Sequence, residues 1–516
     1  MEKLRITGRN SRLSLLQIEK VIRSILQFYP NMQIEVITAE SRGDQLKDIP
    51  LQTVEGTDFF TGDFFTALQN GEADIAVHSM KDMSAEHYFA GNEFAVVDRD
   101  DVRDLAIFNP GIEERLAAGE TIIIGTCSPR RETMAIEFLQ KALPQTGGFK
   151  IVTSVIRGNI EDRLKKLDSG DYDGIILATA GLNRLLDSCE DRKKIELLLY
   201  GKKLMVLPLF ECVPAPCQGA IVAESLPGNQ PAVEILKRIN LPLVKDICSK
   251  EKEIALRYGA GSIQEFGVVS IQTGRDIVFY STGKDSGGKR FEHWEGLPGI
   301  EAQGVGQLFN ASNHMGQFYD YVYNDFQPVN ARIIFVSNFK ALHGDQCQQC
   351  LKSKKVWVSG SKTWFELAKK GIWVEGTADG LGLESLLSVW EMPILQYKKS
   401  EIHILTNHSS MANWHARGWK ASSTYSLVAR RNPEIEKQVA NADFLFWTSH
   451  GQFSLYKGAV SQHAVHACPQ GETATLLRKE GIQPLLFPTI KSFAQWRVSC
   501  ELSVVGCGIG EKDERI

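Results

Sequence analysis

Residues 121–133 read TIIIGTCSPRRET, and this stretch decides the class of fold. A β-branched run ends at Gly125 and Thr126, and a serine and a proline follow at once. Ser128 suits a helix N-cap and Pro129 the first helical turn, so a strand passes directly into a helix. The same alternation continues on both sides. QIEVITA (33–39), ADIAVHS (73–79), IVTSVI (151–156) and YDGIILAT (172–179) predict strands. SLLQIEKVIRSILQFY (14–29) and IEDRLKKLDSG (160–170) predict amphipathic helices between them. Such alternation over the first 240 residues predicts an α/β fold of mostly parallel sheets covered by helices.

Past residue 240 the pattern changes. VKDICSKEKEIALRYG (244–259) predicts a helix, and GVVSIQ (267–272) and RDIVFYST (275–282) predict short strands. Together they suggest a small α+β unit, with NDFQPVNA (324–331) as a linker. The remainder repeats itself. IIFVSNFKAL (333–342) matches FLFWTSHGQF (444–453), and SGSKTWFELAKKG (359–371) matches PQGETATLLRKEG (469–481). Ser337 and Thr363 are 26 residues apart, and Ser449 and Thr473 are 24 apart. Each copy therefore predicts strand, Ser-bearing turn, helix, strand, Gly-rich turn and helix, and two such halves would flank a cleft.

Composition sets the outer limits. A chain of 516 residues suggests about three to five domains. With 43% apolar and 23% charged residues, wholesale disorder, collagen-like repeats and a long coiled coil are excluded. A net charge of −4 argues against a general nucleic-acid binder. No apolar run of about 18 residues is present, so no membrane span is expected. The opening MEKLRITGRNSRLSLLQ lacks the apolar core of a signal peptide and reads as folded protein. Ten scattered cysteines fit a reducing, cytoplasmic setting. CQQC (347–350) near His343 has no second pair, and His463 and His466 have no carboxylate partner nearby, so no metal is expected. GTADGLG (376–382) has neither P-loop nor dinucleotide spacing.

Two constellations point to chemistry. Arg9 and Ser11 follow the first strand, Arg130 and Arg131 open a helix after Thr126 and Ser128, and Arg157 closes a strand, with Arg163 and Arg184 beyond it. Strand C-termini and helix N-termini of a doubly wound sheet converge on one crevice, and arginine grips carboxylate or phosphate bidentately. Several arginines there imply a ligand with several negative charges. HSMKD (78–82) leaves an apolar strand directly, so Asp82, beside Lys81, is the candidate for proton transfer or for stabilising a developing cation.

In order and spacing, RITGRNSRLSLLQ, ADIAVHSMKDM, GTCSPRRE, RGNIEDRLKKLDSGDYDGIILATAGLNRL and VPAPCQGAIVAE resemble porphobilinogen deaminase (hydroxymethylbilane synthase) over roughly residues 3–275. The two-copy C-terminal region resembles uroporphyrinogen-III synthase, so the chain resembles a fusion of two consecutive enzymes of tetrapyrrole synthesis. The resemblance implies two periplasmic-binding-protein-like lobes (1–95 plus 195–240, and 96–194) and a small α+β domain (241–325). A two-lobed α/β synthase-like module (331–516) would follow. It implies condensation of porphobilinogen with loss of ammonia, then cyclisation of hydroxymethylbilane to uroporphyrinogen III, by a monomer whose partners are these pyrroles and neither nucleic acid nor membrane. Arg9, Ser11, Arg130, Arg131, Arg157, Arg163 and Arg184 would bind carboxylates, and Asp82 would stabilise cationic pyrroles. Ser79, Lys81, Thr126 and Ser128 would hold a dipyrromethane cofactor, and Gln17, Gln218 and Gly219 would line the cleft. In the second module Tyr425 would assist departure of the hydroxyl, and Ser361, Thr363, Thr448, Ser449 and Thr473 would donate hydrogen bonds to the substrate.

The chain departs from the deaminase pattern at several positions. The family attaches its dipyrromethane to a cysteine in a GGC-x-x-P-x-G loop, where this chain reads AGSIQEFG (260–267). Ser262 stands at the cysteine position, and a hydroxyl cannot form the thioether. Thr57 and Gly62 replace two lysines, and Cys127 and Cys217 stand where the family usually has serine and glycine. Three readings follow: a deaminase with a non-covalent primer, a non-catalytic pyrrole- or carboxylate-binding module that leaves cyclase activity only, or an enzyme anchored at Cys127 or Cys217. A binding module that captures a small carboxylated ligand without chemistry is the contrasting class.

Overall fold

The computed structural model describes residues 3–39, 61–259, 265–274, 276–298 and 306–497. It divides into two compact units: Met1–Ser270, Ser281–His293 and Glu391–Gln396 form the first, and Ile271–Tyr280, Trp294–Trp390 and Tyr397–Ile516 the second.

The first unit is built on two five-stranded sheets. Its strands in chain order are β1 (Lys3–Arg9), β2 (Gln33–Ala39), β3 (Ile75–Ser79), β4 (Glu93–Arg99), β5 (Asp104–Phe108), β6 (Thr121–Gly125), β7 (Lys150–Ser154), β8 (Gly174–Ala178), β9 (Lys203–Val206) and β10 (Ala220–Ser225). One sheet has the order β2-β1-β3-β10-β4 and the other β7-β6-β8-β5-β9. In each, parallel strands meet an antiparallel one, β10 against β3 and β5 against β8. Every predicted strand in this region is present to within a few residues.

The chain leaves the first sheet between Arg99 and Asp104 and returns after Val206. The expected boundary at 95/96 would cut β4, and that at 194/195 would move β9 to the wrong sheet. β9 pairs with β5, so the short run KLMV belongs to the second lobe.

The helices follow their local signals. Helix Arg12–Phe28 is capped by Ser11, which accepts the Ser14 N–H, and packs Ile18, Val21 and Ile25 into the core under β1 and β3. Helix Ile160–Asp168 has a full capping box between Asn159 and Asp162. Helix Pro129–Ala142 begins at Ser128 as expected, but the serine side chain makes no cap hydrogen bond. A three-stranded sheet follows in the order Phe266–Thr273, Asp276–Lys284, Arg290–Glu295, as the two predicted strands anticipate.

The second unit holds the predicted repeat. Strand Ile333–Val336 pairs parallel with Lys355–Val358, and helix Ser361–Lys369 follows. Strand Phe444–Phe446 pairs parallel with Val465–Pro469, and helix Glu472–Lys479 follows. The two copies lie in separate sheets of six and four strands. Strand Leu308–Asn310 pairs parallel with Phe444–Phe446, and Tyr319–Tyr323 pairs antiparallel with Lys420–Ala429. Residues 308–323 thus complete these sheets, and the expected boundary at 325/331 lies too late. LFN and YDYVY are too short to show by periodicity which sheet they join.

Candidate functional site

The C-terminal ends of β1, β3 and β8 and the turns after β6 and β7 open onto one cavity of about 420 Å³. Such a crevice outside the carboxyl ends of strands is where open α/β sheets bind ligands. Arg9, Ser11, Gln17, Ser79, Lys81, Asp82, Arg131, Arg157, Arg163, Arg184 and Gly219 line it, eleven of the residues expected at the site. Its walls carry six cations (Arg9, Lys81, Arg131, Arg157, Arg163 and Arg184) against two carboxylates (Asp82 and Asp162). Asp162 Oδ2 accepts the Asn159 N–H at 3.3 Å within the capping box, which leaves Asp82 as the acid best placed for chemistry.

Thr126, Ser128, Arg130 and Gln218 stand apart from that wall. Thr126 is buried, and its Oγ1 accepts the Ser128 N–H at 3.2 Å. Arg130 is buried and donates to the Val213 carbonyl at 2.6 Å and to Asp104 Oδ2 at 2.8 Å. Arg131 donates to Asp104 Oδ1 at 2.7 Å, and Gln218 Nε2 to the same oxygen at 2.9 Å. Arg130, expected to bind a ligand carboxylate, lies outside the cavity lining and is held by this internal carboxylate; Arg131 shares the same carboxylate but also lines the cavity. Burial would raise the Asp104 carboxyl, but the two guanidiniums outweigh it and hold it well below the usual carboxylate range. The Gln218 side chain also accepts from Lys81 Nζ at 3.4 Å, linking this hub to the cavity wall.

Burial pushes the Lys81 ammonium down to about 8, against the opposing pull of Asp82, while Arg131 pushes it the same way. Burial also lowers Arg163, and Arg131 and Arg157 add to that effect, whereas Cys127 opposes it. Like charges crowd this wall, so a polyanion entering it gains electrostatically. Cys127 lines the cavity, whereas Cys217 is fully buried, with its Sγ 3.3 Å from the Cys248 carbonyl. Ser262 and Thr57 lie outside the described residues.

Asp104 and Glu224 escaped the reading of the sequence. Glu224 is fully buried on β10, and its two oxygens meet His78 Nε2 and His87 Nε2, each at 2.8 Å. The signal was there: an acid inside an apolar strand, in DLAIF and in AIVAES, has to find a partner. Burial would raise Glu224, yet the two imidazoles bring it down to about 2 from an ordinary 4.5. A depressed acid stabilises above its unfolded value and loses that contribution as pH falls through its folded value. Wild-type protein is therefore expected to be more stable than Glu224→Gln at pH 6. The gap in urea midpoint should close between about pH 4.5 and pH 2, and a gap constant over that window would contradict this.

In the second unit Ser361, Thr363 and Thr473 sit in the first turns of the two repeated helices, behind Gly360 and Gly471. Thr363 is buried. Thr448 and Ser449 precede helix His450–Tyr456, and Gln452 Oε1 accepts the backbone N–H of both, at 3.0 and 3.1 Å. Tyr425 is only 3% exposed and pairs in register with Asn407 and Tyr323. Burial pushes its phenol up to about 12. In this structure the Tyr425 side chain is thus enclosed by its strand neighbours. Among the described residues no three His, Cys, Asp or Glu side chains gather as a metal site, and no helix is long and apolar enough to cross a membrane.

Comparison with known proteins bears on the first unit. Residues 4–233 match the family described as porphobilinogen deaminase, dipyromethane cofactor binding domain. Porphobilinogen deaminase of Thiobacillus denitrificans is 33% identical over 266 residues, which are 51% of this chain and 79% of that protein. The Chromobacterium violaceum protein of the same name is 34% identical over 51% of this chain and 78% of its own. Among solved structures, a polar amino acid ABC uptake transporter substrate binding protein from Streptococcus thermophilus is 12% identical over 51% of this chain and 88% of its own. Its TM-score of 0.27 is too low to bear on the fold. About a third of residues are identical over more than three quarters of each deaminase named, and on that ground the chain belongs to the porphobilinogen deaminase family.

Proposed function

We propose that the first unit condenses porphobilinogen into hydroxymethylbilane and releases ammonia at each coupling. The observation that carries this reading is the cavity wall of six cations around Asp82. Each porphobilinogen brings an acetate and a propionate, so the growing chain is the polyanion such a wall would hold. In each coupling the aminomethyl C–N bond of the incoming unit breaks and the amine leaves as ammonia. The methylene cation left behind forms a C–C bond, and the pyrrole carbon attacked loses its proton. Asp82 is the group offered to the cation and to that proton, and the arginines fix the carboxylates so that the reacting carbons meet.

A dipyrromethane fits the same wall on one count: Lys81, depressed by burial among cations, gains from an added carboxylate. Ser79 and Lys81 would hold it, and when bound it supplies the end to which pyrrole units are joined. A serine at position 262 favours a second reading, in which the cavity binds pyrroles without polymerising them. Both readings require binding. Porphobilinogen should bind at pH 8.5 with uptake of up to one proton, because the ligand carboxylates raise the Lys81 pKa from about 8. Calorimetry in two buffers of different ionisation enthalpy measures it, and binding with no proton uptake would remove Lys81 from the site.

For the second unit we infer a uroporphyrinogen-III-synthase-like module that cyclises hydroxymethylbilane. Support comes from the duplicated α/β halves in separate sheets, each ending in a glycine-led helix with Ser361 or Thr473 in its first turn. Adding hydroxymethylbilane to the full chain tests it: uroporphyrinogen III as main product supports the reading, and only the uncatalysed isomer I refutes it.

A further inference from the structure

Lys81 and Asp82 lie on a segment with little backbone support. After β3 the chain enters a short 3-10 turn, Met80–Asp82, closed by one long hydrogen bond from Met83 N to Met80 O at 3.3 Å. Side chains must therefore hold the segment in place. Met80 and Met83 are fully buried in the core beneath it. At its two ends stand His78, at the exit of β3, and His87, on helix Ala85–Tyr88.

Both imidazoles reach one carboxylate. Glu224 Oε1 meets His78 Nε2 and Glu224 Oε2 meets His87 Nε2, each at 2.8 Å, and Asn92 Nδ2 approaches Oε2 at 3.4 Å. Glu224 is itself anchored in the middle of the sheet, paired on one side with Ala76 and on the other with Phe94. Phe65 packs edge-on against His87 at 4.8 Å, and Phe64 and Phe94 lie 6.0 Å from His78 and 6.3 Å from His87. Glu224 is fully buried and the two imidazoles nearly so, and in that setting a charge-assisted hydrogen bond is strong and a broken one is costly.

We propose that Glu224 is a positioning residue of the cavity, clamping both ends of segment 78–87 so that Lys81 and Asp82 are held in place for a ligand. His78 lines the cavity, whereas His87 does not. The side chain of His87 reaches the cavity wall through Glu224 and His78, so an effect of leucine at 87 that glutamine reverses is the mark of that route. The clamp deepens the deaminase reading, and its kinetic test rests on that reading. A misplacement of about 1 Å at reacting groups costs on the order of a hundredfold in rate.

The test uses the full chain with His87→Leu, His87→Gln and Glu224→Gln. The glutamine at 87 places an N–H near the lost Nε2 and can still donate to Glu224. Ammonia release from porphobilinogen should fall tenfold or more in kcat for His87→Leu and Glu224→Gln, and recover to within about threefold in His87→Gln. A second readout needs no turnover: acetylation of Lys81 by acetic anhydride, followed by peptide mapping. The rate at Lys81 should change at least threefold in His87→Leu, relative to exposed lysines, and return in His87→Gln. If the wild type releases no ammonia the deaminase reading fails, and Lys81 acetylation alone decides the clamp. Unchanged Lys81 acetylation in His87→Leu, or equal damage from leucine and glutamine, overturns it. A folded protein with lowered stability but wild-type kcat, KM and acetylation also overturns it.

Discussion

Asp82→Asn is expected to lower ammonia release from porphobilinogen by about 10²–10⁴-fold while affinity for porphobilinogen changes by less than about threefold. The substitution keeps the shape of the side chain and removes its charge and its basicity. Coupling needs both: a cation develops on the pyrrole as ammonia departs, and a proton must leave the carbon attacked. Of the two carboxylates in the cavity wall, Asp162 is engaged at its own helix N-terminus, so Asp82 has no ready substitute. The ligand's carboxylates are gripped by cations that the substitution leaves in place, so binding persists. Calorimetry and an ammonia assay on the same preparation separate the two effects. If the wild type turns over and Asp82→Asn does so within about threefold of it, another group stabilises the cation.

The second large effect is on stability. Asp104→Asn should destabilise the first unit by about 3–5 kcal/mol, the cost of leaving buried charges unpaired. Asp104 is fully buried at the start of β5, and Arg130 and Arg131 both donate to it from helix Pro129–Ala142. Gln218 adds a third donor from the segment returning to the first sheet. One carboxylate therefore joins the cavity-lining helix of the second lobe to the chain that re-enters the first. An asparagine keeps the size but leaves two buried guanidiniums facing a neutral amide. Urea unfolding followed by tryptophan-independent far-UV signal reads the change, and a loss below about 1 kcal/mol would show that water enters to compensate.

Much of this was legible in the residues. The strands are apolar runs, many rich in β-branched residues, that end in polar turns, and in the buried central strands such runs stand out, although both sheets prove to be mixed rather than mostly parallel. The cavity arginines were legible because strand ends of an α/β sheet converge, so Arg9, Arg157, Arg163 and Arg184 gather there from distant positions. What was hidden is pairing at a distance. Arg130 and Arg163 look alike along the chain, yet one faces Asp104 across 26 residues and the other lines the cavity. Nothing in the spacing tells a cavity-lining guanidinium from one turned inward to an internal acid. His78 and His87 likewise become partners only because β10 returns beside β3 after 137 residues and more. In the second unit the repeat was visible, but Leu308–Asn310 and Tyr319–Tyr323 were not, since three to five residues carry too short a period to reveal their sheet. Tyr425 was singled out only through the family resemblance, and its burial beside Asn407 depends on register, which no local pattern records.

The cationic cavity around Asp82 is proposed to polymerise porphobilinogen although serine occupies position 262. The most direct test is to incubate the full-length protein, freed of small molecules and with its intact mass recorded, with porphobilinogen under anaerobic conditions. Ammonia and the linear or cyclised tetrapyrrole are then quantified together. Four ammonia are expected per tetrapyrrole formed, at a rate that Asp82→Asn lowers by about 10²–10⁴-fold. Porphobilinogen bound but left unchanged, with no ammonia and no tetrapyrrole, would contradict it and make the first unit a pyrrole-binding module.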